Sequence, residues 1–148
     1  MSKNLDLPAG LIQSPSFQIE RVRRATKDEV EAALAKHKTT MREFWVLTCT
    51  LEHAASQNQL SELLSVDASD MVRLIDSLER QGWVERKRDP TDRRRQLVTP
   101  TKKGHKIHSE LAKLVEAAEE RALDDATTKQ LKHLRKLSRA IMHSSDHS

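Results

Sequence analysis

The hydrophobic period of the chain changes at Gly82, and this change limits the folds that the sequence can adopt. Before Gly82, apolar residues spaced by three and four predict an amphipathic helix that begins after the cap residue Asp67 and ends at the glycine. These apolar residues are Met71, Leu74, Ile75 and Leu78. After Gly82, residues 83–88 and 95–99 are short strand candidates on either side of a loop that contains Asp-Pro. The segment therefore predicts a helix followed by a β-hairpin with a basic tip.

Two capping patterns mark helices before Asp67. Thr40 with Glu43, and Ser56 with Gln59, place a hydroxyl three residues before a Glu or Gln, as in a capping box. The helix after Thr40 is the most apolar of the chain, whereas the helix after Ser56 is short. Two short helices joined by a turn of a few residues predict a helix-turn-helix, and the basic hairpin that follows is then the wing of a winged helix.

The outer segments predict helices that need a partner. Residues 1–16 hold two of the four prolines and no hydrophobic period, so we expect an extended arm, followed by a first helix over 17–38. Thr101 caps a long helix, and after a turn at 124–128 a last helix carries a second apolar stripe. That stripe is Leu131, Leu134, Leu137 and Ile141. Such thin stripes favour packing of these helices with the first helix and with a second subunit.

The predicted fold is therefore mostly α with a small β-wing, in one domain over residues 17–148. A winged helix-turn-helix lobe occupies about residues 40–100, and dimerisation helices occupy 17–38 and 101–143.

The positive charge is concentrated in one block. Residues 84–106 contain nine basic and three acidic residues, an excess of six that exceeds the net charge of +4 of the whole chain. Such a block is typical of a polyanion-binding element, although a solvated basic surface is the alternative. Only 3% of the residues are aromatic and none is Tyr. Since single-strand binders stack bases on aromatic side chains, the composition favours double-stranded nucleic acid.

The sequence also excludes common classes of enzyme. Its three glycines cannot form GxGxxG or GxxxxGK[ST], and neither HExxH nor GxSxG occurs, so we predict no catalytic residue and no cofactor. Cys49 is the only cysteine, which rules out an intramolecular disulfide. No apolar run approaches the ~18 residues of a membrane span, and the N-terminal residues do not form a secretory signal. We therefore expect a cytoplasmic protein without a membrane partner.

The order of these elements resembles the MarR (multiple antibiotic resistance regulator) family of bacterial transcription factors. The resemblance covers about residues 40–110, and its most specific part, from Gly82 to Gly104, fixes the hairpin length, the loop chemistry and the next helix start together. The segments that carry it are Leu60–Leu64, Arg73–Leu78, Gln81–Arg86, Asp89–Arg95 and Thr101–Gly104.

The resemblance implies a homodimer that binds palindromic double-stranded DNA. The helix after Asp67 would lie in the major groove, and the wing would reach the adjacent minor groove. The D-x-R wing motif of the family falls on Asp92 and Arg94, so that the arginine enters the minor groove and the aspartate orients it. The family also implies a regulator, which we expect to be a repressor, and a small effector, often an aromatic or phenolic carboxylate.

The candidate DNA contacts follow from the charge block and the resemblance together. On the recognition helix, Asp70 and Val72 stand where relatives often have threonines, and Asp70 would be repelled by phosphates unless it accepts from a cytosine amino group. Basic residues of the first strand are expected to contact the DNA backbone. As the alternative, Ser69, Asp70 and Arg73 are only the solvent-exposed face of an amphipathic helix. Likewise, Asp92 and Arg94 are only a solvent-exposed ion pair in a loop. The predicted DNA-binding residues are Ser69, Asp70, Arg73, Arg86, Arg88, Asp92, Arg93, Arg94 and Arg95.

Several other residues have two interpretations. Met41 and Trp45 belong either to the core or to a ligand cleft, to which His37 could add a polar group. Cys49 is interpreted as a buried structural cysteine, with a redox sensor as the alternative. His105 and His108 have a spacing that could share a metal, but no Asp or Cys cluster accompanies them, so we predict no metal site.

Two other functions remain open. The first is a winged helix that serves as an architectural or protein-interaction module without a ligand, and it would protect no defined palindrome in footprinting. The second is a metal-dependent enzyme that uses the histidines, and it would require stoichiometric metal in the purified protein.

Overall fold

A computed structural model of the protein describes residues 6–146, with side chains up to Met142. Over these residues it contains seven helices and one two-stranded antiparallel sheet, which confirms the predicted fold class. In chain order the elements are α1 (Ala9–Ile12), α2 (Pro15–Ala35), α3 (Met41–Glu52), α4 (Gln57–Leu64), α5 (Ala68–Arg80), β1 (Val84–Arg88), β2 (Gln96–Pro100), α6 (Lys102–Ala122) and α7 (Thr128–Asp146).

The helices of the lobe begin where the capping patterns predict. The Thr40–Glu43 and Ser56–Gln59 capping boxes are both formed, and they start α3 and α4. The Asp67 side chain accepts from the Asp70 amide and starts α5. These caps satisfy backbone donors that the first turn of a helix leaves without partners, so the local sequence fixes the helix starts.

Gly82 lies at the base of the wing, next to the start of α6. Its φ of +79° ends the recognition helix as predicted. Strands β1 and β2 pair from Val84↔Pro100 to Arg88↔Gln96. The Thr101 hydroxyl donates to the Gly82 carbonyl at 2.6 Å and accepts from an α6 amide. One side chain therefore joins the base of the wing to the helix that follows it.

A third segment joins the wing through a single residue pair. The Val98 amide donates to the Ala55 carbonyl at 2.7 Å, and the Ala55 amide donates back at 3.4 Å. This bridge cannot be predicted from the sequence, because one paired residue between α3 and α4 produces no strand period. It fixes β2 against the start of the helix-turn-helix.

One hydrophobic core lies between the lobe and the long helices. Each of α2, α3, α4, α5, α6 and the wing contributes fully buried apolar side chains. The largest are Leu34, Leu47, Leu60, Met71, Ile75, Leu78 and Leu111. Side chains of the lobe and of the long helices pack in this one core. Because the core is close-packed, a displacement of α2 or α6 changes the packing around α5.

Two expectations for the outer segments are wrong. Residues 9–12, predicted as part of an extended arm, are helical, and α2 begins at Pro15 because proline is well suited to the first position of a helix. Residues 1–5 of the predicted arm lie outside the described part of the chain. The first helix ends at Ala35 rather than 38, since Lys38 adopts a left-handed conformation with φ of 56°.

The last helix begins at a capping box that the sequence analysis assigned to a turn. The Thr127 amide donates to Gln130 Oε1 at 2.8 Å, and the Gln130 amide donates to Thr127 Oγ1 at 3.1 Å. The pattern is the same as at Thr40 and Ser56, so the signal was present in the sequence. Within the described residues, no helix is long and apolar enough to cross a membrane.

Candidate nucleic-acid interface

A concave surface, which encloses a cleft of about 860 Å³, lies between the wing and the N-terminus of α4. Five arginines line it, and the α4 residues opposite them are polar. The lining side chains include Arg86, Arg88, Arg93, Arg94, Arg95, Gln57, Asn58 and Gln59. The structure thus brings basic residues of β1 and of the wing loop together, and it adds the start of α4, whose position beside the wing the sequence does not predict.

At the wing tip, Arg94 is hydrogen-bonded to Asp92. Its amide donates to Asp92 Oδ1 at 3.1 Å, and its Nε donates to the same oxygen at 3.4 Å. The Arg94 side chain is nevertheless 93% exposed. Asp92 therefore orients the guanidinium without covering it, which is the arrangement that the D-x-R motif implies.

A buried carboxylate organises the loop behind this tip. Asp89 Oδ1 accepts from the Thr91 amide at 2.9 Å and from its hydroxyl at 2.7 Å, and the Asp89 amide donates to the Arg95 carbonyl. These bonds from Thr91, together with the nearby Arg95 guanidinium, lower the pKa of Asp89 below its ordinary value. The loop shape therefore depends on an ionised Asp89.

Arg95 and Arg88 are held by different hydrogen-bond partners. Arg95 donates to Gln59 Oε1 at 3.2 Å and lies 3.7 Å from Asp89 Oδ2, so it links the wing to α4. Arg88 donates to the Arg93 carbonyl at 3.3 Å. Both connections leave these side chains on the concave surface.

The sequence predicts that Arg86 contacts the DNA backbone, whereas the structure pairs its guanidinium with two carboxylates. Its two terminal nitrogens each lie 2.7 Å from a carboxylate of α5, on Asp76 and Glu79, and its side chain is only 21% exposed. Both terminal nitrogens of Arg86 are therefore paired within the protein. This side chain holds β1 against the recognition helix.

The N-terminus of α5 carries a small polar network. The Ser69 hydroxyl donates to the cap residue Asp67 at 2.8 Å, and the Asp70 carboxylate pairs with Arg73 one turn later. The other Asp70 oxygen lies 3.8 Å from Arg42 Nη1 on α3. Two guanidinium groups therefore offset the charge of Asp70 on the face of α5 that carries it. No sequence signal points to Arg42, since its position relative to Asp70 is set only by the packing of α3 on α5.

A second cavity, of about 740 Å³, lies between α2, α3, α6 and α7. Met41 and Trp45 both line it, and Trp45 is 39% exposed, so its assignment to the core is wrong. Met41 also packs against the core. His37 lies in the turn after α2 and is not among the lining residues, because the helix ends before it. Two of the three residues predicted for a ligand cleft therefore line this cavity.

The surroundings of Cys49 and His108 indicate packing roles and not reactive ones. Burial raises the pKa of the Cys49 thiol, which disfavours the reactive thiolate. The His108 ring stacks on Phe44 with 5.0 Å between centroids, and its Nε2 lies 2.8 Å from Thr48 Oγ1. Burial, and secondarily His105, lowers the pKa of His108. In the described part of the chain, no three His, Cys, Asp or Glu side chains are grouped as a metal site.

Neutralising Asp89 is expected to remove part of the pH dependence of stability. Because the folded-state pKa of Asp89 is lowered, its contribution is present above the unfolded value of about 3.9 and is lost as the pH falls through the folded value. The free energy of unfolding of Asp89→Asn, measured with urea from pH 6 to pH 2, should therefore fall less steeply below pH 4 than that of the wild type. Asp124→Asn, an exposed change in the α6–α7 turn, is the control and should keep the wild-type slope. Equal slopes for Asp89→Asn and the wild type would contradict the role of Asp89.

Comparison with known proteins agrees with this geometry. A family model described as the MarR family matches residues 37–95. The multiple antibiotic resistance protein MarR of Escherichia coli K12 is 38% identical over 78 residues, which cover 51% of this chain and 54% of that protein. The transcriptional repressor MprA of Escherichia coli K12 is 34% identical over 59 residues, covering 40% of this chain and 34% of that protein. The matches thus span about half or less of the length of these curated relatives.

Solved structures match over nearly the whole chain. A MarR-family transcriptional regulator from Rhodococcus sp. RHA1 has a TM-score of 0.80 at 27% identity, over 87% of this chain and 95% of that one. CouR from Rhodococcus jostii RHA1, bound to p-coumaroyl-CoA, has a TM-score of 0.80 at 27% identity, over 90% and 95% of the two chains. A mutant MarR from E. coli complexed with operator DNA has a TM-score of 0.77 at 26% identity, over 88% and 94%. Residues 37–95 therefore resemble the MarR family in sequence, and the chain shares the winged helix-turn-helix fold of these solved structures.

Proposed function

We propose that the protein is a transcriptional regulator, and not an enzyme, that binds a palindromic double-stranded operator as a homodimer in the cytoplasm. Its role is that of a repressor, which a small aromatic or phenolic carboxylate releases from DNA. The observation that carries the proposal is the wing, where an exposed Arg94 oriented by Asp92 adjoins a surface lined by four further arginines. A narrow minor groove concentrates negative potential, which favours such a preorganised guanidinium.

The start of α4 supports a phosphate contact beside the wing. Gln57 and Asn58 occupy its first turn, where backbone amides and the helix dipole favour an anion. Arg88 and Arg95 face the same concave surface. A DNA backbone placed there would meet both sets of donors, and such contacts position the protein without reading sequence.

The exposed face of α5 is suited to the major groove. Ser69, Val72 and Arg73 are exposed near its N-terminus, where recognition helices of this class contact base edges. Arg73 can donate to a guanine and Val72 can contact a thymine methyl group, so the helix offers two kinds of readout. Arg86 keeps this helix in fixed register with the wing.

Apolar side chains on the outer helices support the homodimer. On α7, Leu137, Ile141 and Met142 are 52%, 55% and 58% exposed, and on α2 Ile19 is 57% exposed. Large exposed apolar side chains grouped on the outer helices are candidates for such an interface. We propose that α2, α6 and α7 form it. A two-fold axis there would set two α5 helices about 34 Å apart, one turn of DNA.

The cavity between the long helices and the lobe is the proposed effector site. Its wall combines apolar side chains, among them Trp45, Leu74 and Val115, with the cations Arg23, Lys27 and Arg42. An aromatic body with a carboxylate matches that combination. A related structure, CouR, is bound to p-coumaroyl-CoA, which has an aromatic group and anionic phosphates. A ligand that favours a different α5 separation would release the DNA.

Footprinting combined with sedimentation tests the proposal. The purified protein should sediment as a dimer and protect one defined palindrome in fragments of its source genome. Its affinity should fall steeply with salt, since phosphate contacts release counterions. Protection without sequence preference would favour the architectural alternative. A monomer, or failure to bind any duplex at low salt, would contradict the proposed function.

A further inference from the structure

We propose that Arg42 couples the effector cavity to the recognition helix, because the Asp70 carboxylate and an anion in the cavity compete for its guanidinium. Binding of the anion draws Arg42 away from Asp70 and thereby weakens DNA binding. The inference rests on the proposed function and specifies how its two sites communicate.

The position of Arg42 connects the two sites. It is the second residue of α3, it lines the cavity, and its Nη1 lies 3.8 Å from Asp70 Oδ2. Its side chain is 53% exposed, so it is free to change rotamer. The other Asp70 oxygen is held by Arg73. Asp70 thus keeps one partner on its own helix and takes the second from the wall of the cavity.

Asp70 needs this second partner when DNA is bound. It lies in the first turn of α5 beside the cap residue Asp67, so two carboxylates stand at the helix end that approaches DNA phosphates. Arg42 and Arg73 together offset the charge of Asp70. Without Arg42, this end of α5 carries one more uncompensated negative charge, which repels the phosphates.

The cavity provides the competing anion site. Arg23, Lys27 and Arg42 line it with two carboxylates, those of Glu31 and Glu119. The Glu31 carboxylate already accepts from the Met41 amide. The three cations exceed the two carboxylates by one positive charge. An organic carboxylate with an aromatic body satisfies both them and the apolar wall.

The size of the coupling is bounded by the strength of an exposed ion pair. Such a pair changes an equilibrium constant by at most about fivefold, or about 25-fold when both subunits of a dimer respond. Linkage requires reciprocity, so whatever strengthens the Arg42–Asp70 pair must weaken anion binding by the same factor. Asp70 therefore has an effect on effector affinity although it does not line the cavity.

The first test is a double-mutant cycle on DNA affinity, measured by fluorescence anisotropy without effector. Arg42→Gln should weaken binding by up to about 25-fold when Asp70 is present. In the Asp70→Asn background, the same change should have little effect, because no charge remains to be offset. An equal loss in both backgrounds would overturn the coupling, since Arg42 would then act on DNA independently of Asp70.

The second test measures effector affinity without DNA, by calorimetry with 4-hydroxybenzoate and 2-naphthoate as probes. Asp70→Asn should bind the probes up to about fivefold more tightly than the wild type, and Arg42→Gln more weakly. Arg24→Gln, an equal charge change at an exposed α2 residue outside the cavity lining, should match the wild type. Unchanged affinity of Asp70→Asn would overturn the competition, and binding of neither probe would overturn the anion site. If the wild type ignores duplex DNA, the proposed function fails, whereas this test still decides whether Arg42 is shared.

Discussion

Arg94→Ala is expected to weaken binding to operator DNA by about 1–3 kcal/mol for each wing, the range of a good direct contact. For a dimer with two wings, the dissociation constant should rise by at least about 30-fold. The reason is geometric, because the guanidinium is 93% exposed and is oriented by its 3.4 Å contact with Asp92. A side chain that is already oriented loses less entropy when it enters a groove. Anisotropy titrations with a labelled operator measure the loss.

Two variants separate insertion in the minor groove from general charge. Lys36→Ala removes an equal charge at an exposed position in the turn after α2 and should leave the affinity nearly unchanged. Arg88→Ala should reduce the slope of log affinity against log salt by about one, as expected for a phosphate contact. Arg94→Ala should lower affinity with a smaller change in slope, since it contacts a groove rather than one phosphate. Unchanged affinity for Arg94→Ala would remove the wing from the mechanism.

Local signals were sufficient to predict the lobe. Capping boxes, a cap aspartate and a glycine with positive φ each act within four residues, so their effect is visible in the sequence. The D-x-R pair is equally local, because Asp92 and Arg94 meet within one loop. The helix start at Thr127 carries the same capping-box signal as Thr40, so it was equally predictable from the sequence.

Contacts between distant segments were not predictable in the same way. The bridge from Ala55 to Val98 and the pair between Arg42 and Asp70 depend on how elements pack, which hydrophobic periods do not specify. Arg86 shows the consequence for function. Its place in a basic block predicts a DNA contact, but two carboxylates from α5 occupy its guanidinium. A charge count locates a binding surface and does not tell which of its members are free.

Gly104→Ala is expected to destabilise the fold by about 3 kcal/mol or more, beyond the usual cost of an extra methyl group in a packed site. A Cβ at this position would lie 2.0 Å from the Trp83 carbonyl oxygen and 2.9 Å from its carbon. These are backbone atoms, so no side-chain rotation relieves the clash. The Trp83 carbonyl also accepts from the Thr101 amide at 3.0 Å. Any shift that admits the methyl group must therefore disturb the junction of wing and α6.

Gly10 provides the matched control for this change. Nothing lies within 4 Å of a Cβ at Gly10, which is in the short helix α1, so Gly10→Ala should be neutral or stabilise by up to about 1 kcal/mol. Thermal unfolding should show a fall in Tm on the order of 10 °C for Gly104→Ala and no fall for Gly10→Ala. If Gly104→Ala unfolds within 1 °C of the wild type, the close approach of α6 to the wing is not a requirement of the fold. The destabilised junction should also lower DNA affinity, since Thr101 and Gly82 at the base of the wing fix where Arg94 points.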